Sequence, residues 1–179
     1  MDPIIVSSKE QNKDWRKLQD WYKTGKSNEC EIYQRNMIEL ITSEICKKTN
    51  ERLHIEDIEL KTKTHPLKDE DGFEYTEDFD GLIEKSNIKY YFNLKMICDA
   101  GGAQTRTCRE VYHFIKTQLK YIKKNNTENV YFINILDGDT SYKHMKQFHF
   151  LKNKYDTPFV FIGDMNEFQT WWLSKIQIS

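Results

Sequence analysis

The chain has 179 residues, 38% hydrophobic and 31% charged, with a formal net charge of −1. That length fits one domain with a sizeable core. No apolar run approaches the ~20 residues that span a bilayer. The start Met1-Asp2-Pro3 has neither the basic region nor the apolar run of a secretory signal, so a cytoplasmic protein with no membrane partner is expected.

Cys30, Cys46, Cys98 and Cys108 show no CxxC spacing, which favours reduced, buried thiols over a zinc site. The five histidines show no HxxxH or HExxH spacing, and no GxSxG elbow or Walker A loop occurs. Charge is unevenly spread. Residues 1–50 hold nine basic and eight acidic side chains, residues 51–90 six and twelve, and residues 91–179 twelve and eight. A cation-binding centre beside a phosphate-binding surface would produce that split, and so would ordinary surface variation.

In chain order, residues 8–24 read as a helix capped by Ser7 or Ser8, with Trp15, Leu18 and Tyr22 at helical spacing. Gly25, Ser27 and Asn28 mark a break. A second helix is expected over about 29–48, with Tyr33, Met37, Leu40, Ile41 and Ile45 as its apolar stripe. Residues 53–63 alternate imperfectly, as a first strand. The stretch 65–75 contains Pro66 and Gly72 amid charges and reads as a loop. Two strands follow, 79–84 and 88–98, joined by Ser86-Asn87 as an antiparallel hairpin. On the second, Tyr90, Phe92, Leu94 and Met96 point one way and Tyr91, Asn93, Lys95 and Ile97 the other.

Gly101-Gly102 permits a tight turn into a helix over about 105–123. There Cys108, Val111, Tyr112, Ile115, Leu119 and Ile122 fall on one face. Residues 130–136 form a short apolar strand and Asp137-Gly138-Asp139 a turn. A basic helical or irregular segment spans 141–154, a last strand 158–162 and a closing helix 165–176. This order predicts a single mixed α/β domain with helices on both sides of a central sheet. Its parts are a helical N-terminal region over about 8–48, a core over about 53–136 and a C-terminal strand and helix within 141–176.

Asp80-Gly81 on the first hairpin strand and Asn93-Leu94-Lys95 on the second put a carboxylate and a lysine on neighbouring strands. Phosphodiester hydrolysis needs an activated water, a charge clamp on the phosphoryl oxygens and a stabilised leaving oxygen, and one or two Mg²⁺ ions supply all three. Mg²⁺ takes one or two carboxylates and completes its octahedron with water and phosphate. Each residue also has a plainer reading. Asp80 can be a turn residue with Asp78 in the metal role, Lys95 an edge residue, and Glu110 the partner of Arg106 one turn back.

With the helix, hairpin, helix and strand order, these residues resemble the PD-(D/E)XK nuclease superfamily, which includes most type II restriction endonucleases. The likeness covers roughly residues 29–136 and implies a restriction-endonuclease-like fold. Where that family carries an acid, this chain has Asn93, whose amide oxygen can coordinate a cation without contributing charge. A branch of restriction enzymes is more similar: there the second acid has moved to the following helix, roughly four turns after the lysine. Glu110 occupies such a place, fourteen residues intervening after Lys95. The resemblance therefore implies Asp80 and Glu110 as metal ligands, with Asp78 as a substitute. It implies Lys95 as the residue orienting water and phosphate, and Asn93 as a supporting group or the mark of an inactivated site. It also implies Mg²⁺, replaceable by Mn²⁺, as cofactor, double-stranded DNA as substrate, and a homodimer for a symmetric DNA site.

Further contacts are expected from Gln104, Arg106 and Arg109 after the glycine turn. Lys143, Lys146 and His149 lie among the aromatic residues Tyr142, Phe148 and Phe150, a pattern that suits phosphates and bases or a core with solvated lysines. Glu31 and Glu39 on the second helix are additional carboxylate candidates, with solvated helix charges the alternative. The expected activity is that of a restriction endonuclease. The alternatives are a DNA-binding protein that has lost catalysis, and a repair, junction-resolving or homing nuclease.

Overall fold

The computed structural model describes residues 3–54, 58–62, 75–99 and 101–178. Its centre is a four-stranded sheet in the order β4-β5-β6-β7, formed by β4 (Gly81–Lys85), β5 (Ile88–Met96), β6 (Val130–Asp137) and β7 (Val160–Gly163). β4 and β5 are antiparallel, and β5–β6 and β6–β7 are parallel. The hairpin turn is Ser86-Asn87, both at positive φ (53° and 65°). That is the backbone twist a two-residue hairpin loop requires. Parallel neighbours need crossovers, supplied by α3 (Gly102–Asn125) and α4 (Asp139–Lys154).

The two faces of the sheet bury separate cores. Tyr91, Phe132, Leu136, Val160 and Ile162 pack with Val111, Phe114, Ile115 and Leu119 of α3 and Phe148 and Leu151 of α4. Phe92, Leu94, Ile133, Ile135 and Phe161 pack on the other face with Ile38 of α2 (Ser27–Thr42) and Phe168 and Trp172 of α5 (Met165–Ile178). The molecule is thus a mixed α/β structure with helices on both sides of a mixed sheet. No helix among the described residues is long and apolar enough to cross a membrane. All four cysteines are buried and free of disulfides.

Several elements differ from expectation. Residues 8–24 hold only a short turn, Ser8–Glu10, and α1 (Lys13–Lys17). Ser8 and Gln11 spend their side chains elsewhere: the Ser8 hydroxyl donates to Asp164 at 2.7 Å, and Gln11 Oε1 accepts from the Gly138 N–H at 2.9 Å. Helix α2 ends at Ser43, in the left-handed region with φ 58°, and its buried face matches the apolar stripe only in part. Leu40 and Ile45 are 64% and 77% exposed, whereas Gln34, Arg35 and Thr42 are buried.

Residues 53–63 are not one strand. Leu53 and Leu60 pair across an antiparallel hairpin of β1 (Glu51–His54) and β2 (Leu60–Thr62). β3 (Tyr75–Asp78) joins β1 in this second, three-stranded sheet. The chain leaves that sheet at Phe79 and enters β4 at Gly81, so Asp80 sits at the passage between sheets. The loop expected at 65–75 lies outside the described residues, apart from Tyr75.

Candidate functional site

Gly81 pairs with Phe92 in the β4–β5 ladder. Asp80 lies just outside that ladder, next to its first pair. On β5, Asn93 and Lys95 are two residues apart and project to one side, as alternation along a strand requires.

The backbone around them is tightly held. The Asp80 N–H donates to the Phe92 carbonyl at 2.8 Å, and its Oδ2 accepts from the Leu94 N–H at 2.8 Å. Consecutive residues of α2 grip the two strands: Arg35 Nη1 donates to the Asp80 carbonyl at 3.1 Å and Gln34 Nε2 to the Lys95 carbonyl at 2.9 Å. This explains the polar part of the inner face of α2: Gln34 and Arg35 satisfy strand carbonyls, while Ile38, with Met37 and Ile41, packs on the apolar core. Glycine follows Asp80 for a steric reason. A Cβ at Gly81 would lie 2.8 Å from Cys46 Sγ and 3.6 Å from Arg35 Cδ.

Asn93 is fully buried. Its Nδ2 donates to Asn134 Oδ1 at 3.0 Å, and Asn134 and Gln118 of α3 exchange two more bonds at 2.7 and 2.9 Å. Asn93 Oδ1 turns away from β6 and has no hydrogen-bond partner among the described residues. A buried acceptor left in that state favours a donor or a cation. An amide oxygen is a hard donor of the type a divalent ion such as Mg²⁺ accepts.

The other candidates are spread out. Glu110 is exposed on α3 and no hydrogen bond or ion pair joins it to Asp80 or Lys95. Asp78 ends β3 and forms an ion pair with Arg52 Nε at 2.7 Å, which ties it to the smaller sheet. Among the described residues no three His, Cys, Asp or Glu side chains are grouped to hold a metal. Glu39 Oε2 accepts from the Cys46 N–H at 3.0 Å, a structural duty. Gln104 is half-buried, with Oε1 beside Gly101, and Arg106 is exposed on the first turns of α3. Arg109 borders a largely apolar cavity between α3 and α4 with His144 and Phe150. Lys143, Lys146 and His149 converge on a groove of about 560 Å³ with Asp164 and Glu167. His149 Nε2 lies 3.6 Å from Glu167.

Two features escaped the sequence reading. A cavity of about 220 Å³ opens at the carboxyl end of β5, lined by Lys95, Gln34, Glu31, Ser27, Thr107 and Arg16 of α1. Beneath it Asp137, fully buried at the end of β6, accepts from Gln34 Nε2 at 3.0 Å and from the Met165 N–H at 3.1 Å. Burial pushes its carboxyl up to about 7. The Gln34 and Met165 bonds oppose that shift, and the nearby Asp164 adds to it. No spacing rule flags either feature, because Arg16, Gln34 and Asp137 come from three distant elements. Comparison with family models, with curated proteins and with solved structures gives no match to this chain.

Proposed function

We propose that this chain is a Mg²⁺-dependent endonuclease of double-stranded DNA, with a restriction-endonuclease-like fold and a site of the PD-(D/E)XK kind. The observation that carries the reading is Asp80 at the mouth of β4, its carboxylate held at 2.8 Å by the N–H of Leu94, the residue between Asn93 and Lys95. The order around it supports the same reading: helix α2, an antiparallel hairpin, helix α3 and a parallel strand, with the two helices on opposite faces.

The Asp80 carboxylate and the Asn93 amide oxygen would hold the ion, and Glu110 would add a second carboxylate from α3. A bound Mg²⁺, or Mn²⁺ in its place, supplies activation of water and neutralisation of phosphoryl charge. Lys95 orients the water and the scissile phosphate. Gln34 and Arg35 fix the peptide groups of Lys95 and Asp80, so that acid and amine keep their spacing during attack. Arg106 and Arg109 of α3, with Gln104, meet the DNA backbone or base edges, and Lys143, Lys146 and His149 of α4 extend that contact. A homodimer would present two such sites to a two-fold DNA sequence.

The test is plasmid cleavage with Mg²⁺ by the wild-type chain and by Asp80→Ala, Lys95→Ala and Glu110→Ala. Discrete fragments from the wild type alone support a restriction enzyme, and a smear indicates a non-specific nuclease. Cleavage that survives Glu110→Ala removes Glu110 from the metal site. A second reading, a DNA-binding protein without catalysis, draws on the commitment of Asn93 to the buried Asn134 amide. It predicts intact plasmid in every case with DNA retained in a gel-shift assay.

A further inference from the structure

The cavity at the end of β5 contains two cationic side chains, Arg16 and Lys95, and one carboxylate, Glu31. Arg16 reaches it because the N-terminal segment is strapped across the carboxyl ends of the central strands. Ser8 is tied to Asp164 beyond β7, Gln11 to Gly138 beyond β6, and the Lys13 N–H to Asp99 beyond β5 at 3.3 Å. Helix α1 is thereby set above Lys95. The guanidinium carbon lies over the Tyr22 ring, 4.9 Å from its centroid. The Arg16 Nε is buried and has no hydrogen-bond partner among the described residues.

That donor lacks the acceptor that normally accompanies it, while the rest of the guanidinium interacts with the Cys30 side chain. The neighbouring thiols do not provide one as thiolates, since burial pushes Cys30 up and Cys98 up to about 12. With Ser27, Thr107 and Gln34 on the walls, the described lining offers hydroxyl and amide donors beside Arg16 and Lys95. The volume suits a single phosphoryl group and excludes a base-paired duplex.

We propose that Arg16 and Lys95 form a two-cation seat for one phosphoryl oxyanion in this cavity, with the N-terminal strap as the element that completes it. The planar guanidinium presents parallel donors that match two oxygens of a phosphate, and Lys95 adds a point charge from the strand. Under the nuclease reading, on which only the identity of the substrate rests, the occupant is a backbone phosphate of the DNA strand being cut. Arg16 is then a substrate-binding residue supplied from outside the sheet.

The experiment titrates inorganic phosphate into the full chain in EDTA, followed by calorimetry, with thermal melting to verify that each variant is folded. The wild type binds phosphate saturably. Arg16→Gln weakens binding about ten- to hundredfold, the range expected for a hydrogen bond to a charged group, and Lys123→Gln at the far end of α3 leaves it unchanged. Absence of saturable binding by the wild type overturns the seat. Undiminished binding by Arg16→Gln, or equal weakening by Lys123→Gln, does so as well. If Arg16→Gln does not fold, Arg16→Lys decides: it keeps the charge but loses the fork, so weaker binding supports the seat and unchanged binding overturns it. The assay contains no metal and no DNA. Phosphate binding by a chain that leaves plasmid intact refutes the nuclease and keeps the seat. Cleavage without phosphate binding does the reverse.

Discussion

Asp137→Asn isolates the most unusual titration in the molecule. The wild-type carboxyl is fully buried and pushed up to about 7, against an ordinary value of 3.8. Between those values the folded chain holds a proton that the unfolded chain has released. Stability therefore falls as pH rises through that window and is level above it. The gap is roughly three tenfold steps in proton affinity, or about 4 kcal/mol in total. About 3 kcal/mol of it falls between about pH 5 and about pH 8. Asparagine carries no such proton. Its Oδ1 can take the Met165 N–H, and its Nδ2 replaces the oxygen that accepts from Gln34 Nε2, so Gln34 must turn its amide to present Oε1, which is buried without a partner in the wild type. Urea melts of both chains at the two pH values measure the effect. The variant gains about 3 kcal/mol on the wild type between the acidic and the alkaline measurement. A stability difference independent of pH would refute the reasoning, because it would mean Asp137 ionises alike in the folded and unfolded chains.

Gly138→Ala should destabilise by at least about 3 kcal/mol in denaturant melts. Gly138 has φ 96°, and a Cβ there would meet the Ile97 carbonyl oxygen at 2.1 Å, with only backbone to move. Asn134→Ala should cost about 3 kcal/mol or more, read as a lowered melting temperature, because it strands the polar groups of Asn93 and Gln118 in the core. Glu29→Gln should remove an acid-dependent part of stability. The Glu29 carboxylate accepts from the N–H groups of Lys23, Thr24, Gly25 and Lys26 and from the Thr24 hydroxyl. The Lys23 bond is the largest of the influences holding its pKa down to about 2. That stabilisation is present above the ordinary carboxylate range and lost as pH falls through about 2, so wild-type and variant acid-melting curves should converge at the acidic end.

Local rules made the sheet and its crossovers legible. Ser86-Asn87 named the hairpin, period-two alternation sorted β5 into its faces, and the stripe from Cys108 to Ile122 set the inner side of α3. Helix α2 resisted the same treatment. Of the apolar stripe, Met37 and Ile41 pack on the core, but Leu40 is exposed and Ile45 falls beyond the end of the helix, because part of the buried side of α2 is given to carbonyls it must satisfy. Gln34 and Arg35 face inward to bind Lys95 and Asp80, and no periodicity in α2 announces a partner on β5. The first 24 residues failed for a related reason. Trp15 and Tyr22 supply helical spacing, but Ser8 and Gln11 are bound to β7 and β6 termini that lie more than a hundred positions away in sequence. Of the candidate site, Asn93 and Lys95 were readable because they alternate along one strand. The Arg16 cavity was not, because it exists only once the strap has crossed the sheet.

Asn93 shows why a motif position and its surroundings are read together. Taken alone, an amide where an acid is expected looks like decay of a site. In the folded chain its Nδ2 is the donor to Asn134 Oδ1, and Asn134 in turn exchanges bonds with Gln118. A carboxylate at position 93 would bring only acceptors against that oxygen and would place a charge in a fully buried position, where an unpaired charge is strongly disfavoured. Asn93, Asn134 and Gln118 therefore form one polar unit spanning β5, β6 and α3, and an acid at 93 is incompatible with the other two as they stand. Position 93 therefore contributes no second charge to the strand ends around Asp80.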